Sequence, residues 1–230
     1  DFSVGAGIMA GSRLLTGAGY RLKVPAIDLA EVGAGGGSII FVDPGGAMLV
    51  GPKSAGAKPG PACYGLGGEL PTVTDANVVL GYLNPKHLVG GEVQINAELS
   101  HKAIREKVAA PMELEIERAA YGAHQITAAN MIRAIKSVSS ERGRDPRRYA
   151  LFAFGGNGPL FAATMARALG MKQIVVPPAP GLFSSFGLLY ADVEHHYSRT
   201  LRRVLRTADP QELQQAWLDL EIQARKQLQG

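Results

Sequence analysis

Residues 149–159 read Tyr-Ala-Leu-Phe-Ala-Phe-Gly-Gly-Asn-Gly-Pro, an apolar run that ends in a pair of glycines. We interpret 149–154 as a buried strand and the glycines as a tight turn. A helix is predicted from Pro159 to Leu169, because proline is favoured in the first turn of a helix and Gly170 follows its end. The apolar run 174–176 predicts a second buried strand. Strand, turn, helix and strand in this order predict a βαβ unit, a parallel sheet and an α/β fold.

The turn in this unit has the form of a nucleotide site. Glycines let a flat ligand approach the backbone, and the first turn of a helix has N–H groups without intrahelical partners. The spacing lacks the third glycine of the dinucleotide-binding fingerprint. The pattern predicts nucleotide contacts from Gly155, Gly156, Asn157 and Gly158. A turn with a purely structural role is the alternative.

The first part of the chain, residues 1–95, is rich in glycine and is predicted to consist of strands and loops. Two apolar runs, 38–42 and 47–50, flank the turn sequence Asp-Pro-Gly-Gly and predict a β-hairpin. Residues 51–68 contain three prolines, which are unfavourable in a strand ladder, so a loop is predicted there. Loops of this length are often functional, and an ordered structural loop is the alternative.

A glycine-rich turn opens this hairpin. Gly35, Gly36 and Gly37 precede Ser38, and consecutive glycines expose backbone N–H groups that can hold an anion. The turn is not a Walker loop, because no Gly-Lys-Ser/Thr follows it. Two interpretations are open, a turn that binds an anion and a structural entry to the hairpin.

Asp75 lies near the predicted start of a short helix, 74–83, for which Thr74 is the predicted N-cap. A carboxylate in the first turn normally caps the helix or interacts with its dipole. The alternative is a carboxylate that orients a metal, water or substrate. Cys63 is the single cysteine. No neighbouring histidine is available to activate it, and small buried cysteines are common, so a nucleophilic role is disfavoured.

Helical patterns dominate the middle of the chain. Ser100 is the predicted N-cap of a first helix, Pro111 breaks the pattern, and apolar residues at helical spacing predict a long helix over 113–141. Residues 181–192 are small and apolar and are predicted to form a closely packed helix. A C-terminal amphipathic helix is predicted over 209–228, with Asp209 as its N-cap.

The composition limits the classes of function. The 230 residues are 46% hydrophobic and 19% charged, which is enough for a sizeable core. The net charge of +4 comes without the long basic stripe of a nucleic-acid-binding protein. One cysteine forms no internal disulfide, and no apolar run reaches the ~18 residues of a membrane span. We therefore expect a cytoplasmic protein that binds neither nucleic acid nor membrane. Because the chain starts at Asp1, we expect a fragment of a longer protein.

Five segments together resemble the hydantoinase A/oxoprolinase family, although each of them is unspecific alone. Their order and spacing match that family from about residue 24 to residue 192. They read Val-Gly-Ala-Gly-Gly-Gly-Ser-Ile at 32–39, Val-Gly-Pro-Lys-Ser-Ala-Gly-Ala at 50–57, Pro-Gly-Pro-Ala-Cys-Tyr-Gly at 59–65, Pro-Thr-Val-Thr-Asp-Ala-Asn at 71–77 and Phe-Gly-Gly-Asn-Gly-Pro at 154–159.

The resemblance implies part of an actin-like, hexokinase-like ATPase fold that uses ATP and Mg²⁺. The family's two phosphate-binding turns, of the Asp-Gly-Gly-Thr type, are expected outside this chain. Gly155 and Gly156 match the adenosine-side motif, and Asn157 stands where relatives more often have a smaller residue. The segment Gly35–Ser38 is implied on the substrate side of the cleft, together with Asp75 as the predicted catalytic residue.

The implied function is ATP-dependent hydrolysis of a cyclic amide, of the hydantoinase or 5-oxoprolinase type. Phosphorylation of the amide oxygen activates the ring before water attacks the carbonyl. A subunit of an ATP-dependent ketone carboxylase and a non-catalytic interaction module are the alternatives. The isolated chain is expected to turn over no ATP.

The resemblance also implies a partner and a division of the chain. The family often works with a hydantoinase B-type subunit or domain, and a homo-oligomer is a second open arrangement. We predict a β- and loop-rich part at 1–96, a helical and βαβ part with the adenosine-side motif at 97–200, and a C-terminal helix that starts a following region at 201–230.

Overall fold

The computed structural model of the chain describes residues 8–9, 21–22, 29–190, 195 and 197–228. These residues belong to two compact units, one formed by Asp1–Asp28 with Tyr190–Gly230 and the other by Leu29–Leu189. In the first unit, β1 (Ile8–Met9) pairs antiparallel with β2 (Arg21–Leu22). This division into two units differs from the three segments predicted from the sequence. The three segments remain a prediction.

The second unit begins with the predicted hairpin. Strand β3 (Ser38–Val42) pairs antiparallel with β4 (Met48–Ser54). The Asp43 carboxylate closes the turn by accepting a hydrogen bond from the Ala47 N–H at 2.9 Å. The predicted start of the loop at residue 51 is wrong, because β4 continues through Pro52 to Ser54. Ser38 pairs with Ser54 and Ile40 with Val50, so the extra residues of a bulge lie in β4, and a bulge tolerates a proline such as Pro52.

Helix α1 (Val73–Val79) confirms the predicted short helix but begins one residue earlier than predicted. Its N-cap is Thr72, not Thr74. The Thr72 side chain accepts a hydrogen bond from the Asp75 N–H, and the Asp75 carboxylate accepts one from the Thr72 N–H, which together form a capping box. Of two threonines two residues apart, the helix uses the one whose third following residue is acidic.

Two short strands and a second helix follow. Strands β5 (His87–Leu88) and β6 (Val93–Gln94) pair antiparallel. Helix α2 (Ala97–Ile104) has Asn96 as its N-cap, because the Asn96 side chain accepts a hydrogen bond from the Glu98 N–H at 3.0 Å. The prediction of Ser100 as the cap is therefore wrong, and Ser100 lies buried inside the helix.

The predicted break at Pro111 and the long helix after it are confirmed. The backbone leaves α2 through a π-turn and a 3-10 turn, and Glu113 has a left-handed conformation at φ 54°. Helix α3 (Ile116–Val138) then contacts α1 and β4. The side chains on the packed face of α3 include Ala119, Ala120 and Ala123, whose small size lets its neighbours approach closely.

The βαβ unit is confirmed in its topology. Strand β7 (Leu151–Phe152) pairs parallel with β8 (Ile174–Val175), and helix α4 (Gly158–Leu169) connects them. Gly170 ends α4 at φ 67°, a conformation that favours glycine. A short helix, α5 (Phe183–Leu188), lies within the predicted helix 181–192.

The predicted burial of these two strands is wrong for β8 and for one side of β7, since Leu151 packs against the core and Ala153 is 5% exposed. The exposed fraction is 44% for Phe152, 46% for Phe154 and 47% for Val176. A parallel sheet is buried on both faces only when other elements cover both of them. Among the described residues the sheet has two strands, and Phe152 and Phe154 contact each other and Phe183.

The core of the second unit joins the hairpin to helices α1, α3 and α4. Its members Ile40, Ile104, Val108 and Phe161 are at most 1% exposed. Complete burial of one such side chain contributes roughly 1.5–3 kcal/mol to stability. Because Phe161 lies on α4, the same core fixes the helix that follows the predicted nucleotide turn.

The first unit contains the predicted C-terminal helix, α6 (Pro210–Leu228). Its N-cap is Asp209 as predicted, since the Asp209 carboxylate accepts a hydrogen bond from the Gln211 N–H at 2.9 Å. Its apolar side chains Leu213, Trp217 and Leu228 are exposed, with Trp217 at 71%. No helix among the described residues is long and apolar enough to cross a membrane.

Candidate functional site

The glycine turn of residues 35–38 is closed by its own serine. The Gly35 N–H donates to Ser38 Oγ at 2.9 Å, and Ser38 Oγ donates to the Gly33 carbonyl at 3.3 Å. The Ser38 N–H also donates to the Gly35 carbonyl at 3.0 Å. Within residues 29–190, the N–H groups of Gly36 and Gly37 donate no hydrogen bond. The turn therefore leaves two backbone donors available to a ligand.

Thr74 fixes this turn from helix α1. Its backbone N–H and its hydroxyl both donate to the Gly36 carbonyl, at 2.9 Å and 3.0 Å. Thr74 was predicted to cap the helix. Its contact with Gly36 was not predicted, because these two residues are 38 positions apart in the chain. Because Thr72 caps this helix, the hydroxyl of Thr74 is left for a contact outside the helix, and this was the signal in the sequence.

The glycine turn and the nucleotide turn meet at one point. A β-carbon placed on Gly36 would lie 2.8 Å from Thr74 Oγ1 and 3.3 Å from Asn157 Nδ2. The structure therefore brings Gly36, which sequence analysis predicted on the substrate side, next to Asn157, which it predicted on the nucleotide side. Only glycine fits between these two side chains.

The nucleotide turn itself has an open side. Gly155 has φ 81°, which favours glycine, and its N–H donates to the Pro180 carbonyl at 2.7 Å. A β-carbon on Gly155 or Gly156 would meet no atom outside its chain neighbours within 4 Å. Gly156 is therefore required neither by a positive φ nor by packing among the described residues, and a ligand that approaches the backbone is one reason for its glycine.

Asn157 is the N-cap residue of α4 but makes no side-chain capping bond. Its Nδ2 is buried and has no hydrogen-bond partner within the described part of the chain. A buried donor without a partner costs about 1–3 kcal/mol, so the amide is a candidate for contact with a water or a ligand. Gly158 is the first residue of α4, and its N–H donates no backbone hydrogen bond among the described residues.

The Asp75 carboxylate is completely buried and accepts five hydrogen bonds. Oδ1 accepts from the Cys63 N–H at 2.9 Å and from Ser100 Oγ at 2.7 Å. Oδ2 accepts from the Ala62 N–H at 3.1 Å and from both the N–H and the hydroxyl of Thr72, at 2.9 Å and 2.8 Å. The carboxylate thereby joins the loop after β4 to α1 and α2. Its predicted catalytic role stays a prediction.

Cys63 is fully buried beside this carboxylate. Burial, and after it the negative charge of Asp75, raises the pKa of the Cys63 thiol to about 12. The thiol is therefore protonated at neutral pH. A protonated, inaccessible thiol is a poor nucleophile.

A buried histidine connects α1 and α3 to α4. His124 Nδ1 lies 3.0 Å from Asn77 Oδ1, and the imidazole stacks on Phe161 with a centroid distance of 4.2 Å. Burial lowers the pKa of His124. His124 falls between Ala123 and Thr127 on the buried face of α3, and this spacing is the signal in the sequence that places it in the core. No group of three or more His, Cys, Asp or Glu side chains among the described residues is arranged to hold a metal.

Comparison with known proteins identifies the family. A sequence model of the hydantoinase/oxoprolinase family matches residues 5–197. This chain belongs to that family. The resemblance carried by the glycine turns and the loop motifs is therefore confirmed.

Two relatives are 41% identical to this hydantoinase/oxoprolinase chain. An uncharacterised protein of Methanocaldococcus jannaschii matches over 230 residues, which are 100% of this chain and 33% of the relative. The caprolactamase subunit alpha of Pseudomonas jessenii matches over 202 residues, 88% of this chain and 28% of the relative. A 5-oxoprolinase of Arabidopsis thaliana is 36% identical over 192 residues, 76% of this chain and 15% of the relative. The chain thus spans about a third or less of these relatives.

Two solved structures have the same fold. The ATP-dependent caprolactamase of Pseudomonas jessenii aligns with a TM-score of 0.71 and 37% identity, over 91% of this chain and 31% of that chain. A nucleotide-free acetone carboxylase aligns with a TM-score of 0.74 and 32% identity, over 85% of this chain and 29% of that chain. The predicted mixed α/β fold of the actin-like ATPase class is confirmed.

Proposed function

We propose that this chain belongs to an ATP-dependent enzyme that hydrolyses the amide bond of a cyclic amide. The observation that carries the proposal is the contact between the two glycine turns at Gly36 and Asn157. A reaction in which a nucleotide activates an amide needs both reactants side by side, and two adjacent turns with free backbone donors provide neighbouring positions for them. The similarity to a caprolactamase and a 5-oxoprolinase supports this reaction class.

The proposed place of ATP is the open side of the nucleotide turn. Gly155 and Gly156 leave the space that a β-carbon would fill, and at the start of α4 the Gly158 N–H donates no backbone hydrogen bond among the described residues. The backbone of Gly155–Gly158 would hold the adenosine side of ATP. When bound with Mg²⁺, ATP supplies the phosphoryl group that activates the amide oxygen.

The turn of Gly35–Ser38 is the proposed substrate side. The N–H groups of Gly36 and Gly37 are donors of the kind that stabilise an oxygen gaining negative charge. For Asp75 the five protein donors favour a positioning role, in which its carboxylate fixes α1 and the loop around Cys63. We therefore propose that Asp75 acts through Thr74 and not by touching the substrate.

We also propose that the enzyme works with a second subunit or domain of the hydantoinase B type. Its relatives include an alpha subunit of a caprolactamase and a beta subunit of an acetone carboxylase. Copurification at fixed stoichiometry tests this arrangement. A complete, active protein with no second subunit or B-type domain would contradict it.

The proposed activity is tested with the complete protein that carries this sequence. We expect caprolactam, 5-oxoproline or hydantoin to stimulate phosphate release from Mg·ATP. We expect Gly156→Val to abolish this release, because its side chain would fill the space beside the nucleotide turn. Gly187→Val is the matched control, since Gly187 also has open space and no positive φ but lies on α5.

One alternative has its own observation in support. The acetone carboxylase structure aligns with the higher of the two TM-scores, 0.74. The same phosphate assay separates the two activities when acetone with bicarbonate is added to the panel. Stimulation by the ketone alone would replace cyclic-amide hydrolysis with ketone carboxylation.

A further inference from the structure

Thr74 hydrogen-bonds Gly36 at the point where the two glycine turns lie next to each other. We propose that its hydroxyl is a positioning group that keeps the 35–38 turn seated against Asn157, so that substrate and nucleotide lie in register. This inference rests on the proposed function for its kinetic consequence. Its structural consequence, a loosening of both turns when the hydroxyl is removed, is independent of any activity.

The hydroxyl is placed to control the orientation of Gly36. The Gly36 carbonyl accepts from the Thr74 N–H and from its Oγ1, and two donors from one residue fix both the position and the direction of the carbonyl. Thr74 is 6% exposed, so bulk water does not readily replace the hydroxyl. Substitution with valine removes only one of the two bonds and leaves the shape of the side chain nearly unchanged.

The hydroxyl has no other task in helix α1. Thr72 already caps the helix in a box with Asp75, and the first-turn N–H of Thr74 donates to Gly36 instead of to a cap. Asp75, the next residue, is itself held by five donors from the loop, α1 and α2. Thr74 therefore projects from a rigid support, which is the requirement for a positioning group.

Asn157 lies on the other side of Gly36 from Thr74, so a movement of Gly36 affects it. Thr74 Oγ1 and Asn157 Nδ2 flank the same point, at 2.8 Å and 3.3 Å from a β-carbon placed on Gly36. A shift of Gly36 therefore changes the packing of the Asn157 amide, whose Nδ2 has no partner among the described residues. Because Asn157 directly precedes α4, this shift reaches the nucleotide turn.

The first test measures the turns without relying on activity. Hydrogen exchange is followed in peptides that cover residues 33–41 and 154–160 of the complete protein. We expect Thr74→Val to speed exchange in both peptides by about fivefold, the factor that one net hydrogen bond of average strength represents. Thr127→Val is the matched control, because the Thr127 hydroxyl is also buried and donates to a backbone carbonyl, that of Ala123, at 2.7 Å.

The second test measures the reaction. We expect Thr74→Val to lower kcat/KM by about tenfold, with a raised KM for both Mg·ATP and the cyclic amide. Thr74→Ser keeps the hydroxyl and should restore both constants to within about twofold. Thr127→Val should leave both KM values unchanged even where it lowers Tm.

The outcomes separate the two proposals. If Thr74→Val and Thr127→Val have the same exchange and the same KM values, Thr74 is merely structural and the inference is overturned. If the unsubstituted protein releases no phosphate with any cyclic amide, the proposed function fails. In that case the exchange of residues 154–160 still decides whether Thr74 couples the turns.

Discussion

At the scale of single residues, the Asp75 carboxylate organises more of the site than any other side chain described. It faces five donors and no acceptor, so an amide in its place would direct an N–H₂ group at other donors. We expect Asp75→Asn to lower the free energy of unfolding by about 3 kcal/mol, because buried donors lose a charged acceptor. Urea titration of the chain measures this change.

Asp43→Asn is the matched control for that experiment. Asp43 accepts one exposed hydrogen bond in the hairpin turn, where asparagine is equally suited, so we expect a change within about 0.5 kcal/mol. The comparison with Asp43→Asn also distinguishes a positioning role of Asp75 from a catalytic one. A variant that is as stable as Asp43→Asn but inactive would show that the Asp75 carboxylate takes part in the chemistry.

Cys63 gives a second prediction at this scale, and its thiol can be followed alone because it is the single cysteine of the chain. The folded pKa of about 12, compared with 9.0 for an ordinary thiol, leaves about a thousandfold less thiolate near neutral pH. We expect alkylation by iodoacetamide at least about a thousandfold slower in the folded chain than in the urea-unfolded chain. Equal rates in the two states would contradict the burial of Cys63.

At the scale of elements, local sequence rules predicted what local interactions determine. The Asp-Pro-Gly-Gly turn, the break at Pro111 and the cap at Asp209 depend on neighbours in the chain, and each is confirmed. The caps of α1 and α2 were misassigned, because Thr74 and Ser100 have the chemistry of caps but use their hydroxyls for contacts with Gly36 and Asp75. Distant partners of this kind are invisible to a local rule.

The prediction that the two strands are buried was wrong for a related reason. The apolar runs 149–154 and 174–176 are typical of strands that are covered on both faces. An apolar run indicates only that a strand can be buried. The exposure of Phe152 and Val176 depends on which other elements pack against the sheet. The parallel pairing itself was predictable, since a strand, a glycine turn and a helix strongly favour a βαβ unit.

At the scale of the whole molecule, the site depends on how the second unit assembles. The residues of the proposed site come from the turn before β3, from α1 and from the start of α4, and neither the role of Thr74 nor the meeting of these elements at Gly36 was predicted from the sequence. His124 is one of the side chains that join these elements. It bonds Asn77 on α1 from its own position on α3 and stacks on Phe161 of α4. Its ionisation therefore affects the assembly of the site as a unit.

This geometry predicts a loss of global stability in acid. Burial lowers the pKa of His124 below its ordinary value of 6.5, so the unfolded chain binds the proton more tightly than the folded chain does. The contribution of His124 to stability is therefore complete above a pH of about 6.5 and falls as the pH drops below it. Urea unfolding at a series of pH values from about 8 to 5 measures the slope. His124→Gln removes the titrating group, and we expect a shallower decline in that variant. Parallel curves for the two proteins would contradict a role for His124, and the acid sensitivity would then belong to other groups.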